Sequence, residues 1–171
     1  MSYPADLSIR FGRAPDTRAV LELIRELAEY EKLAHEVTAD EPALRATLFG
    51  VRPSAEVLLA DLADATVGFA LFFESYSTFL GKPGMYLEDL FVRPSARGKG
   101  VGGALMSACA RIAVQRNYGR FEWSVLDWNK PAWDFYEALG AASMTEWTRQ
   151  RLTGTKLDAL AERWPHPVGK T

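Results

Sequence analysis

The segment Arg97-Gly98-Lys99-Gly100-Val101-Gly102-Gly103 places four glycines and two cations within seven positions. Glycines let a backbone approach a ligand closely and turn its N–H groups toward it. Apolar spacing predicts a helix from Val101 to about Gln115, and a helix N-terminus adds unsatisfied donors and the positive end of a dipole. Arg97 and Lys99 add charge at the same spot. The chemistry this arrangement suits is the binding of a phosphate or pyrophosphate group.

Three readings compete for it. A glycine-rich turn with two solvated cations is the plainest. A dinucleotide site is the second, since Gly98, Gly100 and Gly103 satisfy G-x-G-x-x-G. That fingerprint opens a helix directly after its strand, whereas Arg93 to Arg97 intervene here after Val92. A Walker loop fails, because Lys99 precedes glycine rather than Ser or Thr. The third reading depends on the strand and helix that flank the loop.

Other chemistry-bearing residues are few. In Tyr86-Leu87-Glu88-Asp89-Leu90-Phe91-Val92, strict alternation puts Glu88, Leu90 and Val92 on one face and sends Asp89 to the other. Cys109 is the single cysteine and lies at helical spacing from Leu105 and Ile112, which reads as a buried core thiol. His35 and His166 stand far apart without ligand spacing, so no metal is expected.

The elements that must position these groups are legible as patterns. A strand is predicted over 7–11 and a helix from Asp16 or Thr17 to about Lys32, with Val20, Leu23, Ile24 and Leu27 on its apolar face. A second helix is predicted over 42–49, ending at Gly50. Strands are expected at 56–61 and 66–75, joined by a turn around Asp64, then at 85–92, 121–126 and twice within 142–151. Asn129 caps a helix that Gly140 stops, and a short helix follows over 156–163. This predicts one α/β (α+β) domain over 7–163, a mixed sheet of six to seven strands with helices on both faces, and flexible termini at 1–6 and 164–171.

Composition excludes several classes. The net charge of −2 gives no basic field for nucleic acid, and the five Trp are scattered without a basic stripe. No run approaches the roughly 18 apolar residues of a membrane helix. The start, Met1-Ser2-Tyr3-Pro4, is unlike a signal peptide, and one cysteine suits a reducing compartment, so a cytoplasmic location is expected.

Between strand and helix, Arg97, Gly100 and Gly102 match Arg/Gln-x-x-Gly-x-Gly/Ala, and here the chain resembles the GNAT superfamily of acyl-CoA N-acyltransferases. Asn129 to Ala141 is similar to a second pattern of that superfamily, Asn-x-x-(Ala/Ser)-x-x-Phe-Tyr-x-x-x-Gly-(Phe/Ala). The resemblance implies acetyl-coenzyme A as cosubstrate. Its pyrophosphate would lie on Arg97, Gly98, Lys99, Gly100, Val101, Gly102 and Gly103, and its pantetheine arm along Leu90, Phe91 and Val92. Asn129, Lys130 and Pro131 would adjoin the cofactor, and Tyr136 would stand near its sulfur. A phenol with a pKa of about 10 can donate to a departing thiolate whose thiol has a pKa of about 8.5, which makes Tyr136 the expected general acid.

Five further stretches narrow the resemblance to the diamine (spermidine/spermine) N-acetyltransferases and their thialysine-acetylating relatives. They are Leu23 to Glu31, Val67 to Ala70, Tyr86 to Asp89, Arg97 to Gly102 and Trp128 to Pro131. This implies Glu88 as base or anchor for a primary amine, Tyr30 and Glu31 as substrate contacts, Asp127 and Trp128 lining an amine channel, and a homodimer. Two departures, a shorter chain near Glu146-Trp147 and Asp127 where the polyamine enzymes carry Glu, favour a compact amine over a long polycation. A non-catalytic acyl-CoA-binding module and a dinucleotide-dependent oxidoreductase are the rival readings.

Overall fold

The computed structural model describes residues 3–164 and 166, which form two compact units divided after Ser124. Met1, Ser2, Pro165 and 167–171, where most of the flexible termini were expected, lie outside the described residues.

The first unit is built on a five-stranded sheet in sequence order: β1 (Leu7–Phe11), β2 (Glu56–Leu62), β3 (Ala65–Ser77), β4 (Lys82–Val92) and β5 (Phe121–Trp123). The first four strands pair antiparallel, and β5 joins β4 in parallel. The β2–β3 hairpin turns through Ala63 and Asp64, whose φ of 48° and 62° provide the left-handed conformation that matches strand twist. The parallel step follows from the crossover through α3 (Val101–Gln115), which a parallel pair requires.

Two helices cover one face. Along α1 (Thr17–Tyr30) the buried Val20, Leu23 and Leu27 recur at helical spacing, and α2 (Glu41–Phe49) adds Leu48. They pack with Val57 and Leu59 of β2, Phe69 of β3 and Phe91 of β4 into one cluster. The register explains the set: Leu59 pairs with Phe69 and Phe69 with Phe91, and cross-strand partners share a face. The opposite face carries Leu58, Ala70 and Phe72, with α3 against it; its Ala104, Ser107 and Ala108 adjoin Leu7 and Ile9 of β1. Cys109 sits in this layer, fully buried, and burial pushes its thiol pKa to about 12, so it is inert core.

The second unit holds α4 (Lys130–Ala138) and α5 (Thr155–Ala161). The Asn129 side chain caps α4 by accepting from the Ala132 amide. The helix ends in a Schellman motif: Ala141 N–H bonds the Tyr136 carbonyl and Gly140 N–H the Glu137 carbonyl, with Gly140 at φ 86°.

The expected fold class holds, with fewer strands. Residues 142–151 form no strand; Met144 and Trp147 are exposed there, and the described residues of this unit contain no strand to offer a ladder. β5 stops at Trp123 instead of 126, and the remaining elements fall within three residues of the expected bounds. No helix among the described residues is long and apolar enough to cross a membrane.

Candidate active site

The glycine segment has the backbone its composition demands. Gly98 and Gly100 take φ of 74° and 81°, a region costly for other residues, and no atom lies within 4 Å of where a Gly98 Cβ would stand. Gly100 is the residue before α3, without a side-chain cap. The first intrahelical bond there runs from Ala104 N–H to Gly100 O at 2.9 Å, so the N–H groups of Val101, Gly102 and Gly103 precede every intrahelical acceptor. Together with exposed Lys99 this is an anion cradle open to a pyrophosphate.

Arg97 faces elsewhere. Its guanidinium lies 4.7 Å from the Tyr30 ring centroid and 5.7 Å from that of Phe91, while Nε donates to the Val92 carbonyl at 2.9 Å. It therefore ties the end of α1 to the end of β4, and with them the expected substrate contact Tyr30 to the cradle. Arg93 makes a second tie, donating to Glu26 of α1 at 2.6 Å and to the Thr66 carbonyl at 2.8 Å.

β4 supplies an open edge. β5 pairs only with Met85, Tyr86 and Leu87, so among the described residues no strand lies alongside Leu90, Phe91 and Val92 on that edge. Unpaired strand edges present N–H and C=O groups to whatever comes next, as a pantetheine amide chain requires. The cradle and this edge fit acetyl-coenzyme A, and Leu90 to Val92 with Lys99 to Gly103 are the residues that would hold it.

At Glu88 the strand departs from its expected alternation. Leu71 pairs with Asp89 but Phe72 pairs with Leu87, so Glu88 is the extra residue of a β-bulge. The bulge resets the faces. Leu87 and Leu90 now share the α3 side, while Asp89 joins Leu71 and Phe91 on the side of α1. Glu88 is exposed and Asp89 half-buried. Burial, then the charges of Glu88 and Glu31, raise the Asp89 carboxyl to about 6. Burial also raises the Glu31 carboxyl at the end of α1. Alternation alone sends Asp89 to the Phe91 face, as found, but misses the bulge at Glu88 and the turn of Leu87 onto the Leu90 face. The signal of the bulge was two adjacent carboxylates in an apolar strand, with Leu87 and Leu90 three apart instead of two.

In the second unit, Asp127 and Trp128 are exposed on the approach to α4, where Asn129 N–H bonds the Leu126 carbonyl. Trp133 Nε1 donates to the same carbonyl at 3.2 Å, which fixes the turn. Asn129 is buried, Lys130 pairs with Asp134 one turn on, and Pro131 occupies the first turn, where an N–H has no partner to lose. Tyr136 lies in the last turn of α4, half-buried, its ring 5.2 Å from that of Phe135. The expected site residues thus form two groups, one in each unit.

A phosphate cradle at the head of the helix that follows an edge-open strand defines a class, and the sequence comparison agrees. Residues 18–141 match the acetyltransferase (GNAT) family, and the chain belongs to it. Like other members it is an N-acetyltransferase with acetyl-CoA as cosubstrate. The chain is 40% identical over 168 residues to thialysine N-epsilon-acetyltransferase of Bos taurus, covering 92% of this chain and 98% of the relative. It is 35% identical over 197 residues to L-ornithine N5-acetyltransferase NATA1 of Arabidopsis thaliana, covering 89% and 86%. Among solved structures, an integron cassette protein from V. cholerae superposes with a TM-score of 0.78 at 29% identity, covering 93% of this chain and 99% of that one.

Proposed function

We propose that this acetyltransferase acts on the primary amine of a small, cationic aliphatic substrate, of the diamine or lysine-analogue kind. The observation that carries the reading is the set of carboxylates where α1 ends and β4 bulges. Glu31, Glu88 and Asp89 join in no ion pair among the described residues, and the charges of the first two act on the third. An ammonium group is the ligand chemistry that relieves such a set. Relatives named for thialysine and ornithine, both compact amines, support it.

In this reading the acetyl group passes directly to the amine. Lys99 and the Val101–Gly103 amides hold the pyrophosphate, the β4 edge holds the pantetheine arm, and positioning supplies much of the rate. Glu88, exposed on the bulge, anchors the incoming ammonium with Tyr30 and Glu31, and Asp127 and Trp128 shape its approach. Asn129, Lys130 and Pro131 bind the cofactor, and Tyr136 donates a proton to the departing sulfur. A homodimer in the cytoplasm is the assembly and location this reading expects.

The test is thiol release from acetyl-CoA by purified protein with diamines, polyamines, lysine analogues and arylamines. Release driven by a compact aliphatic amine, with higher kcat/KM than spermine gives, is the expected result. Release only with arylamines, or none while acetyl-CoA still binds, rejects the amine class.

A further inference from the structure

Two carboxylates lie side by side in β4, and the bulge decides which of them faces inward. We propose that Asp89, and not Glu88, is the base that takes the proton from the acceptor amine. The inference rests on the reading above that the acceptor enters as an ammonium ion.

The geometry separates the two residues. Asp89 is opposite Leu71 and two strand positions from Phe91, on the face that α1 covers. Phe91 is the ring against which Arg97 of the cradle lies, and Tyr30 is the other. One face therefore carries, in order, the root of the phosphate loop, the end of α1 and the Asp89 carboxylate. Glu88 belongs to neither ladder face and stands in solvent. Water competes there for any proton passed between Glu88 and a bound amine. The charges acting on Asp89 are Glu88 beside it and Glu31 just past α1; Tyr86, opposite Phe73, shares its face, and Tyr30 and Arg97 group at Phe91. Among the described residues Asp89 makes no hydrogen bond or ion pair. Burial and the charges of Glu88 and Glu31 raise it to about 6, toward what an amine's base needs.

An Asp89 oxygen accepts one proton from R–NH3+, leaving R–NH2 with a free electron pair. That pair attacks the thioester carbonyl carbon, the C–S bond breaks, and its electrons leave on sulfur. The second proton on nitrogen is lost as the amide forms, and one proton ends on the thiolate. Asp89 then gives its proton to solvent, so one H+ is released per turnover.

The experiment measures kcat and kcat/KM against pH for wild type, D89N and E88Q with a compact diamine, alongside acetyl-CoA binding by calorimetry. The expected result is that D89N loses at least about 100-fold in kcat, with acetyl-CoA affinity within threefold of wild type. The limb of kcat/KM that falls on acidification, with an apparent pKa near 6, vanishes in D89N. E88Q raises KM for the diamine and keeps that limb. D89N turnover within threefold of wild type, or loss of the limb in E88Q, overturns the proposal. Should D89N fail to fold, the E88Q profile decides alone, since Glu88 is exposed. Failure of the underlying reading shows instead in the wild type, as absence of turnover with every aliphatic amine; failure of this inference shows only in the variants.

Discussion

A residue in this protein does its work through the backbone that presents it. Gly100 illustrates the point: its φ of 81° precedes α3, and an added Cβ would meet the Tyr3 ring at 3.3 Å. Gly100→Ala therefore adds left-handed strain of about 1–2 kcal/mol to the turn that the proposed reading gives to the pyrophosphate. We expect KM for acetyl-CoA to rise about tenfold or more while KM for the amine changes little, as initial-rate kinetics with each substrate varied will show. Tyr136 makes the complementary case. If its phenol protonates the leaving sulfur, Tyr136→Phe costs about 10²-fold or more in kcat and leaves acetyl-CoA affinity near wild type. Unchanged turnover removes the assignment. Both residues stand out in the sequence because their motifs are local. The face of Asp89 was legible too, since alternation sets it opposite Leu90; the bulge at Glu88 was not, because that register shift shows only on pairing with β3.

Elements held to expectation where their signals were local and yielded where a partner decided. β1 and α3 have the expected bounds, and α2 starts where Asp40, accepting from Ala43 N–H at 2.8 Å, caps it. Hydrophobic spacing marked α1 over two residues too many at its C-terminal end, since Lys32 adopts φ 62° and the chain turns away. The pair of strands expected over 142–151 has no ladder in its unit, and a strand exists only as one member of a pair. The ties between elements are polar and sparse, so each can be tested singly. Arg93 fastens β4 to α1 through Glu26 and to β3 through the Thr66 carbonyl, with its side chain about one third exposed. Arg93→Ala should cost about 1–2 kcal/mol, since Glu26 and a strand-end carbonyl lose a charged partner together. Chemical denaturation will read it as a lower midpoint with unchanged slope.

For the molecule as a whole, pH separates residues that stabilise the fold from those kept for function. Asp16 accepts from Arg10 at 2.8 and 3.0 Å and from the Arg13 amide at 2.7 Å, and the Arg10 bonds hold its carboxyl below the ordinary value of 3.8. Its contribution is present above that value and is lost as pH falls through the lowered one. Asp16→Asn should lower Tm at pH 7, and its gap to wild type should close in strong acid. Asp89 has the opposite sign. Its carboxyl sits near 6 when folded against an ordinary 3.8, so the folded state holds the proton longer. Stability from this group is greatest in acid, falls as pH rises between about 4 and 6, and stays reduced above that window. Asp89→Asn should therefore match wild type near pH 4 and surpass it above pH 6. Two pKa units bound the gain at about 3 kcal/mol, and partial solvent screening discounts it to about 1–2 kcal/mol. That is a Tm higher by roughly 2–8 °C at pH 7, where activity is lost. A carboxylate that weakens the fold where the enzyme works, and strengthens it when removed, is retained for the reaction. Calorimetric scans of wild type and variant across pH 4 to 8 decide it: a variant less stable at every pH would make Asp89 a structural group and remove its claim to the amine's proton.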